Sequence, residues 1–185
     1  MDAHLPAVLI LIDDEFDDLE VMYPKLRLIE AGYHVFIAGK QRGRTYVGHH
    51  GHPCMADESI FSVQERHYAA VICPGGRAAE TLRIEGKIKS LVREFHTAGK
   101  LVAAICTGGW IPISAGIVQG QRVTGSPSVQ DDFINAGAAF EDAAIVSDRG
   151  LVTARGASDL PAFMQAVLHA LDEQQKNARA AATHA

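Results

Sequence analysis

A single cysteine stands where a strand pattern in this sequence changes into a helix pattern. Cys106 follows the apolar run Leu101–Ile105 and precedes Thr107, two glycines and an amphipathic stretch, Trp110–Ile117. A strand, a sharp turn that carries the nucleophile and then a helix form a nucleophile elbow. The unpaired N–H groups at a helix start favour a thiolate over a thiol. The pattern therefore predicts a reactive cysteine with a lowered pKa, against the alternative of a buried structural cysteine.

An acidic segment near the N-terminus can supply proton-transfer groups for such a cysteine. Six carboxylates lie within Asp13–Glu20, and Asp17 and Glu20 are three residues apart, hence on one helix face. A protonated carboxyl group can donate a hydrogen bond to a thiolate and later move a proton as a general acid or base. Acidic residues also stabilise the first turn of a helix, which explains most of this cluster without any chemistry.

A glycine turn directly after another apolar run is the third candidate segment. The sequence Pro-Gly-Gly-Arg covers residues 74–77. The Gly76 N–H and the amide after Cys106 are predicted to form an oxyanion hole. Gly75 and Gly108 are predicted to take part in the same oxyanion and substrate-binding pocket, since glycine permits close backbone approach. The alternative for the Pro-Gly-Gly-Arg motif is a plain turn.

The stretch His49–Cys54 contains three histidines and a cysteine, which are zinc ligands by type. Their spacing matches no usual zinc pattern, and the surrounding glycines and proline favour a polar surface hairpin over Gly43–Met55. We expect neither a metal nor another cofactor in this protein.

Strand and helix patterns alternate along the chain, which predicts a mostly parallel sheet with helices on both faces. In such α/β folds the ligand site lies outside the carboxyl ends of the strands, so the three candidate segments are expected on one rim. The predicted strands are Ala7–Ile12, Tyr33–Ala38, Ala69–Cys73, Leu101–Ile105, Arg122–Thr124 and a hairpin of Ala144–Val146 with Leu151–Ala154. The predicted helices are Phe16–Ala31, Ala79–Leu82, Lys87–Ala98, Trp110–Ile117, Val129–Ala136 and Asp159–Glu173.

Length and composition predict one ordinary globular domain. The chain has 185 residues, 48% of them hydrophobic and 21% charged. Residues 1–174 are expected to form that domain, and residues 175–185 a frayed tail with little apolar periodicity.

Charge and composition also exclude several functional classes. A net charge of −5 provides no basic face for nucleic acid. No apolar run approaches the roughly 20 residues of a membrane span, and residues 1–6 lack the features of a secretory leader. Three cysteines are too few for a disulfide framework. These features predict a cytoplasmic protein with reduced thiols and no nucleic-acid or membrane partner.

The motifs taken together resemble those of the ThiJ/PfpI superfamily, and within it the PfpI-like intracellular cysteine proteases. The resemblance runs over about residues 7–172 and implies a flavodoxin-like, three-layer α/β sandwich with a nucleophile elbow. The segments that carry it are Asp14–Glu20 with Tyr23-Pro24, Cys73–Ala78, Ala104–Cys106, Ser114–Gly116, Asp131–Gly137, Arg155-Gly156 and Asp159–Phe163.

The resemblance also implies roles for individual residues. It makes Cys106 the nucleophile, Glu20 the carboxylate beside the thiol and Asp17 a second acidic group nearby. The Gly76 and Thr107 amides would form the anion-binding pocket. Glu80 matches a glutamate that protease-like members lend to the site of a neighbouring subunit. A homodimer or a larger homo-oligomer is therefore implied.

This sequence departs from the protease-like pattern directly after the cysteine. Protease-like members have a histidine there, whereas this chain has Thr107, and they often have a tyrosine near Ser126. No adjacent imidazole is thus present to accept the thiol proton, which weakens the peptidase hypothesis. His50 or His52 could substitute from another loop, but no pattern in the sequence places them there.

We therefore expect a cysteine-dependent hydrolase or lyase that acts on small reactive carbonyls, a stress enzyme of glyoxalase or deglycase type. Three alternatives stay open: a PfpI-type intracellular peptidase, an isonitrile-hydratase-like lyase, and a non-enzymatic redox sensor in which Cys106 is oxidised. The Cys-Thr pair resembles the isonitrile hydratases of the superfamily, in which the threonine hydroxyl assists. Those enzymes, however, carry an aspartate at the position of Glu20.

Overall fold

A computed structural model describes residues 6–183 of the chain, apart from the side chains of residues 179 and 181–183. Of the residues on which the leader expectation rests, 1–5 lie outside this range. The last two residues of the predicted tail, 184 and 185, also lie outside it. The strands are β1 (Ala7–Leu11), β2 (His34–Gly39), β3 (Thr45–Val47), β4 (Pro53–Met55), β5 (Glu58–Ser59), β6 (Ala70–Cys73), β7 (Leu101–Ile105), β8 (Arg122–Val123), β9 (Ala139–Phe140), β10 (Ile145–Asp148) and β11 (Leu151–Ala154). The helices are α1 (Asp18–Glu30), α2 (Ala78–Ile84), α3 (Gly86–Thr97), α4 (Trp110–Ala115), α5 (Gln130–Asn135) and α6 (Leu160–Thr183).

The central sheet confirms the predicted flavodoxin-like architecture. Its seven strands lie in the order β10-β11-β7-β6-β1-β2-β5. Every neighbouring pair is parallel except β10 with β11. Every residue of β6 and of β7 is buried, as expected for parallel strands that are covered on both faces.

Helices cover both faces of this sheet and give the three layers. On one face α1 packs against α6, and α6 also contacts β7, β10 and β11. On the other face α2, α3 and α4 pack against one another, and α3 contacts β6 and β7. Among residues 6–183, no helix combines the length and the apolar character that a bilayer crossing needs.

Several element predictions are confirmed, whereas three short strands and the end of the last helix differ from the predictions. The excursion over residues 43–55 is the antiparallel hairpin of β3 and β4. Strand β8 does not join the main sheet but pairs with β9, which was not predicted, and β5 was also missed. These two-residue strands are too short to show a period-2 pattern.

The C-terminal helix runs to Thr183, so its predicted end at Glu173 is wrong. The added turns consist of good helix formers such as alanine, glutamine and lysine. The Gln175 side chain also donates a hydrogen bond to the Tyr33 hydroxyl at 2.9 Å, which attaches this part of α6 to the start of β2. The apolar periodicity of a sequence reveals neither the helix propensity of these residues nor the contact with Tyr33.

Candidate active site

The three candidate segments meet at the carboxyl edge of the sheet. Strands β7, β6 and β1 are adjacent, so the residues that follow them share one rim. A cleft of about 270 Å³ lies there. Its lining residues are Asp17, His49, Gly76, Arg77, Glu80, Cys106 and Thr107.

Cys106 occupies the sharp turn of a nucleophile elbow. It follows β7 directly, begins a 3₁₀ turn that leads into α4, and has a φ of 58°. A left-handed conformation is uncommon outside glycine and is retained mainly where the surrounding structure enforces it, often at active sites. Gly108 allows the tight turn, because a Cβ there would lie 2.1 Å from the Cys73 carbonyl oxygen.

Glu20 lies beside the thiol and has no exposure to solvent. Its Oε2 accepts a hydrogen bond from the Gly75 N–H at 2.7 Å. Its other oxygen, Oε1, is buried and has no hydrogen-bond partner among the described residues. Burial, and secondly the charge of Asp17, raise the pKa of Glu20 to about 7. Glu20 can therefore exchange a proton near neutral pH.

The pKa of the Cys106 thiol is raised, whereas the sequence pattern predicted a lowered value. Burial, and then the charge of Glu20, raise the pKa of Cys106 to about 11, although N–H and O–H contacts from Thr107 act in the opposite direction. The helix-start effect is thus outweighed, because the sequence pattern does not show how deeply the turn is buried. Glu20 and Cys106 interact so closely that the two groups titrate as a pair.

Gly75 is packed against both partners of this pair. A Cβ on Gly75 would lie 2.7 Å from the Glu20 Oε2, 2.8 Å from the Thr107 Oγ1 and 3.0 Å from the Cys106 Cβ. Thr107 adds a second link, because its hydroxyl donates to the Gly76 carbonyl at 3.1 Å. The threonine hydroxyl thus joins the elbow to the Gly75-Gly76 turn.

Asp17 lines the cleft and also begins α1 as its N-cap. Its Oδ1 accepts the N–H groups of Leu19 at 3.0 Å and Glu20 at 3.1 Å. This cap fixes the first helical turn and with it the position of the Glu20 side chain. Asp17 therefore acts on the site through Glu20, by position and by charge.

The β3–β4 hairpin places His49, which the sequence analysis did not select, in the cleft wall. The hairpin turn is attached to α1, because the buried Asp18 carboxylate accepts the N–H groups of His50 and His52, each at 2.8 Å. The sequence signal was the histidine cluster itself, but the choice among its members depends on how the turn is attached. Neither His50 nor His52 lines the cleft.

Two charged residues at the start of α2, its N-cap Arg77 and Glu80 in its first turn, complete the cleft. Arg77 and Glu80 both line it beside Cys106 of the same chain. Glu80 thus lines the same cleft as the thiol of its own chain, and its contribution to a neighbouring subunit stays a prediction. Two other hollows, of about 460 and 390 Å³, lie away from this edge and are lined by neither cysteine nor histidine.

Comparisons with known proteins agree with this geometry. The model of the DJ-1/PfpI family matches residues 6–170. Deglycase PH1704 of Pyrococcus horikoshii is 42% identical over 158 residues, which cover 85% of this chain and 95% of that protein. Protein/nucleic acid deglycase 2 of Escherichia coli is 37% identical over 166 residues, which cover 89% of this chain and 96% of that protein.

A solved structure supports the same fold. The crystal structure of a two-domain protein from Anabaena variabilis, with DJ-1/ThiJ/PfpI-like and ferritin-like domains, matches with a TM-score of 0.88 at 34% identity. The match covers 90% of this chain and 50% of that one. The similarity extends over nearly all of the present chain.

Proposed function

This chain belongs to the DJ-1/PfpI family, and we propose that it is a cysteine-dependent hydrolase or lyase for small reactive carbonyls, of glyoxalase or deglycase type. The observation that carries the proposal is the buried Glu20 carboxyl group beside the strained Cys106, with one oxygen that has no hydrogen-bond partner within residues 6–183. Such a pair combines a nucleophile with a proton carrier in one cleft. The relatives named as deglycases support a carbonyl substrate.

The first step forms a carbon–sulfur bond. In the reactive form of the pair the thiol proton has moved to Glu20, so sulfur carries the single negative charge that the two groups share. The thiolate attacks the aldehyde carbon of an α-oxoaldehyde such as methylglyoxal, and the C=O electron pair moves onto oxygen. The N–H groups of Gly76 and Thr107 stabilise this oxyanion. Glu20 then returns the proton to the oxygen, which gives a hemithioacetal.

The second step moves a proton between the two substrate carbons. The Glu20 carboxylate takes the proton from the carbon attached to sulfur and delivers it to the adjacent carbonyl carbon through an enediol. The product is a 2-hydroxyacyl thioester of Cys106, formed without any external oxidant or reductant. Water then hydrolyses the thioester, which releases the 2-hydroxy acid and restores the thiol. The size of the cleft, about 270 Å³, suits a small substrate.

A deglycase reaction has the same course after one preceding step. A hemiaminal, formed from the aldehyde and an amine, first loses the amine to give the aldehyde in the cleft. The Thr107 hydroxyl contacts Cys106 and also donates to the Gly76 carbonyl, so its position does not single out the isonitrile-hydratase alternative. No other observation favours that alternative over the carbonyl reaction.

The test of this proposal measures 2-hydroxy acid formation from free methylglyoxal and amine release from its preformed hemiaminal. Hemiaminals also dissociate spontaneously, so the enzyme concentration is varied. Amine release that rises in proportion to the enzyme, above the spontaneous rate, supports a deglycase. Release that levels off at the spontaneous rate supports a glyoxalase that consumes the free aldehyde. An absence of turnover with both substrates would refute the proposal.

A further inference from the structure

The cleft contains an imidazole that has no role in the proposed carbonyl reaction. His49 comes from the β3–β4 hairpin, outside all the segments that carry the family resemblance, yet it lines the cleft together with Cys106. The residue after the nucleophile is Thr107, so the elbow itself supplies no imidazole. The structure thus supplies an imidazole to the cleft from a different element of the fold.

A carboxylate orients the His49 ring. Its Nδ1 lies 3.1 Å from the Glu15 Oε2, and because a carboxylate accepts hydrogen bonds we assign Nδ1 as the donor. With Nδ1 engaged in this way, Nε2 is the nitrogen available to a substrate. No residue within the described range forms a hydrogen bond with Nε2 of His49. A base or acid held by an orienting carboxylate is the arrangement of a proton-transfer group.

The backbone around this pair is also held in place. Glu15 has a φ of 64°, its N–H donates to the Val47 carbonyl at 2.9 Å, and its carbonyl accepts from the Ala78 N–H at 3.3 Å. The His49 N–H donates to the Phe16 carbonyl at 2.9 Å. The attachment of the hairpin turn to Asp18 adds to these bonds. His49 therefore occupies a defined position, although its side chain is 59% exposed.

From its place in the cleft and its contact with Glu15, we infer that His49 is the general acid that protonates the leaving amine of hemiaminal substrates. The inference rests on the proposed function and assigns it a substrate class, adducts of reactive aldehydes with amines. In the step, the Nε2 proton of the imidazolium is transferred to the substrate nitrogen as the C–N bond breaks. The carbinol O–H electrons form the C=O bond, and the carbinol proton passes to water. The imidazole then regains a proton from water.

The nature of the leaving group makes this role testable. An alkylamine leaves a carbinol carbon only after its nitrogen has gained a proton, since it would otherwise have to leave as a strongly basic amide anion. A thiol, with a pKa of about 8.5, leaves as the thiolate without that help. Free methylglyoxal has no leaving group at all. Loss of the His49 acid must therefore affect amine adducts selectively.

The experiment compares three substrates: the methylglyoxal adducts of Nα-acetyl-lysine and of N-acetylcysteine, and free methylglyoxal. Each is assayed with wild type, His49→Asn, Cys106→Ala and the matched control His52→Asn, which alters a histidine of the same turn that is outside the cleft. We expect His49→Asn to lower enzyme-dependent amine release about 100-fold. The other two substrates should change less than about 3-fold, and His52→Asn should behave as wild type. Added imidazole should restore amine release in His49→Ala.

Each contrary result has a distinct meaning. Amine release by His49→Asn at the wild-type rate would overturn the inference, and so would an equal loss on all three substrates. Wild type that consumes free methylglyoxal but releases amine only at the spontaneous rate would also overturn it, while the glyoxalase form of the proposed function would stand. If wild type turns over none of the three, the proposed function fails and this inference fails with it.

Discussion

Cys106 and Glu20 are close enough to influence each other's titration, and burial is the main cause that raises the pKa of both groups. The pKa of Glu20 is raised to about 7 and that of Cys106 to about 11. Between these values the pair as a whole carries a single negative charge, and its apparent pKa values belong to both groups. The form of the pair that can attack a carbonyl is generated as the pH rises through about 7. Activity should therefore rise over that range.

A substitution at Asp17 can shift the pH dependence of activity without altering Cys106 or Glu20. Its charge helps to raise the pKa of Glu20, and its Oδ1 caps α1. Asparagine preserves the cap but removes the charge. We expect Asp17→Asn to shift the midpoint of the pH profile of kcat/KM to a lower pH than in wild type, with the maximal rate changed by less than about 10-fold.

The matched control is Asp131→Asn, which removes an exposed carboxylate at the start of α5, away from the cleft. Its pH profile should coincide with that of wild type. A midpoint in Asp17→Asn that stays in place, or moves to higher pH, would contradict the coupling between Asp17 and Glu20.

Sequence patterns predicted where the candidate site residues lie better than they predicted the chemistry of these residues. The cysteine, the carboxylates and the glycine turn each follow a strand, so their common rim could be predicted from order along the chain. The direction of the thiol pKa could not, because it depends on burial and on the distance between Cys106 and Glu20. His49 was missed because its place depends on hydrogen bonds to Asp18 from other residues of its turn.

At the scale of elements, the turn between β6 and α2 supports the reacting pair. Gly75 approaches its neighbours so closely that a side chain there would overlap the Glu20 and Thr107 oxygens and crowd the Cys106 Cβ. We expect Gly75→Ala to displace the elbow relative to Glu20 and to lower kcat/KM at least about 100-fold, since small misplacements of reacting groups have effects of that size. Steady-state kinetics with methylglyoxal measure the effect.

Gly86→Ala is the control, because Gly86 begins α3 with no atom within 4 Å of the added methyl group. It should retain wild-type activity and stability. Gly75→Ala with wild-type kinetics would show that the turn can relax without moving the pair.

Elements with a long, clear period were predictable, and those that depend on tertiary pairing were not. The five buried residues of β7 and the hairpin of β3 with β4 were both predicted from their patterns. Strand β9 has two residues and exists only through its pairing with β8. The last turns of α6 follow helix propensity and a contact to Tyr33 rather than an apolar stripe.

At the scale of the whole molecule, the buried Glu20 links the active site to the stability of the fold. Its folded pKa of about 7 lies above the ordinary value of 4.5, so between these values the folded state binds more protons than the unfolded state. Stability must then fall as the pH rises over this range. The stability difference for this one group is on the order of 3 kcal/mol.

Glu20→Gln removes this titration and should flatten the pH dependence. We expect the free energy of unfolding of wild type to fall more steeply than that of Glu20→Gln between about pH 5 and about pH 8. Urea denaturation at several pH values measures both slopes, and any constant effect of the glutamine on packing cancels in the comparison. Parallel slopes for the two proteins would show that Glu20 does not titrate in this range.

In the proposed mechanism carbonyl turnover passes through a covalent bond to Cys106, and rapid quenching of wild type during methylglyoxal turnover can capture this bond. Peptide mapping of the quenched enzyme, with hydroxylamine to cleave thioesters, should locate a hydroxylamine-sensitive adduct on Cys106 alone. Cys106→Ser should form no such adduct and lose at least about 1,000-fold in kcat/KM, since a hydroxyl is a much weaker nucleophile near neutral pH. Wild-type turnover in Cys106→Ser, or an adduct on another residue that forms and decays at the rate of turnover, would contradict the account.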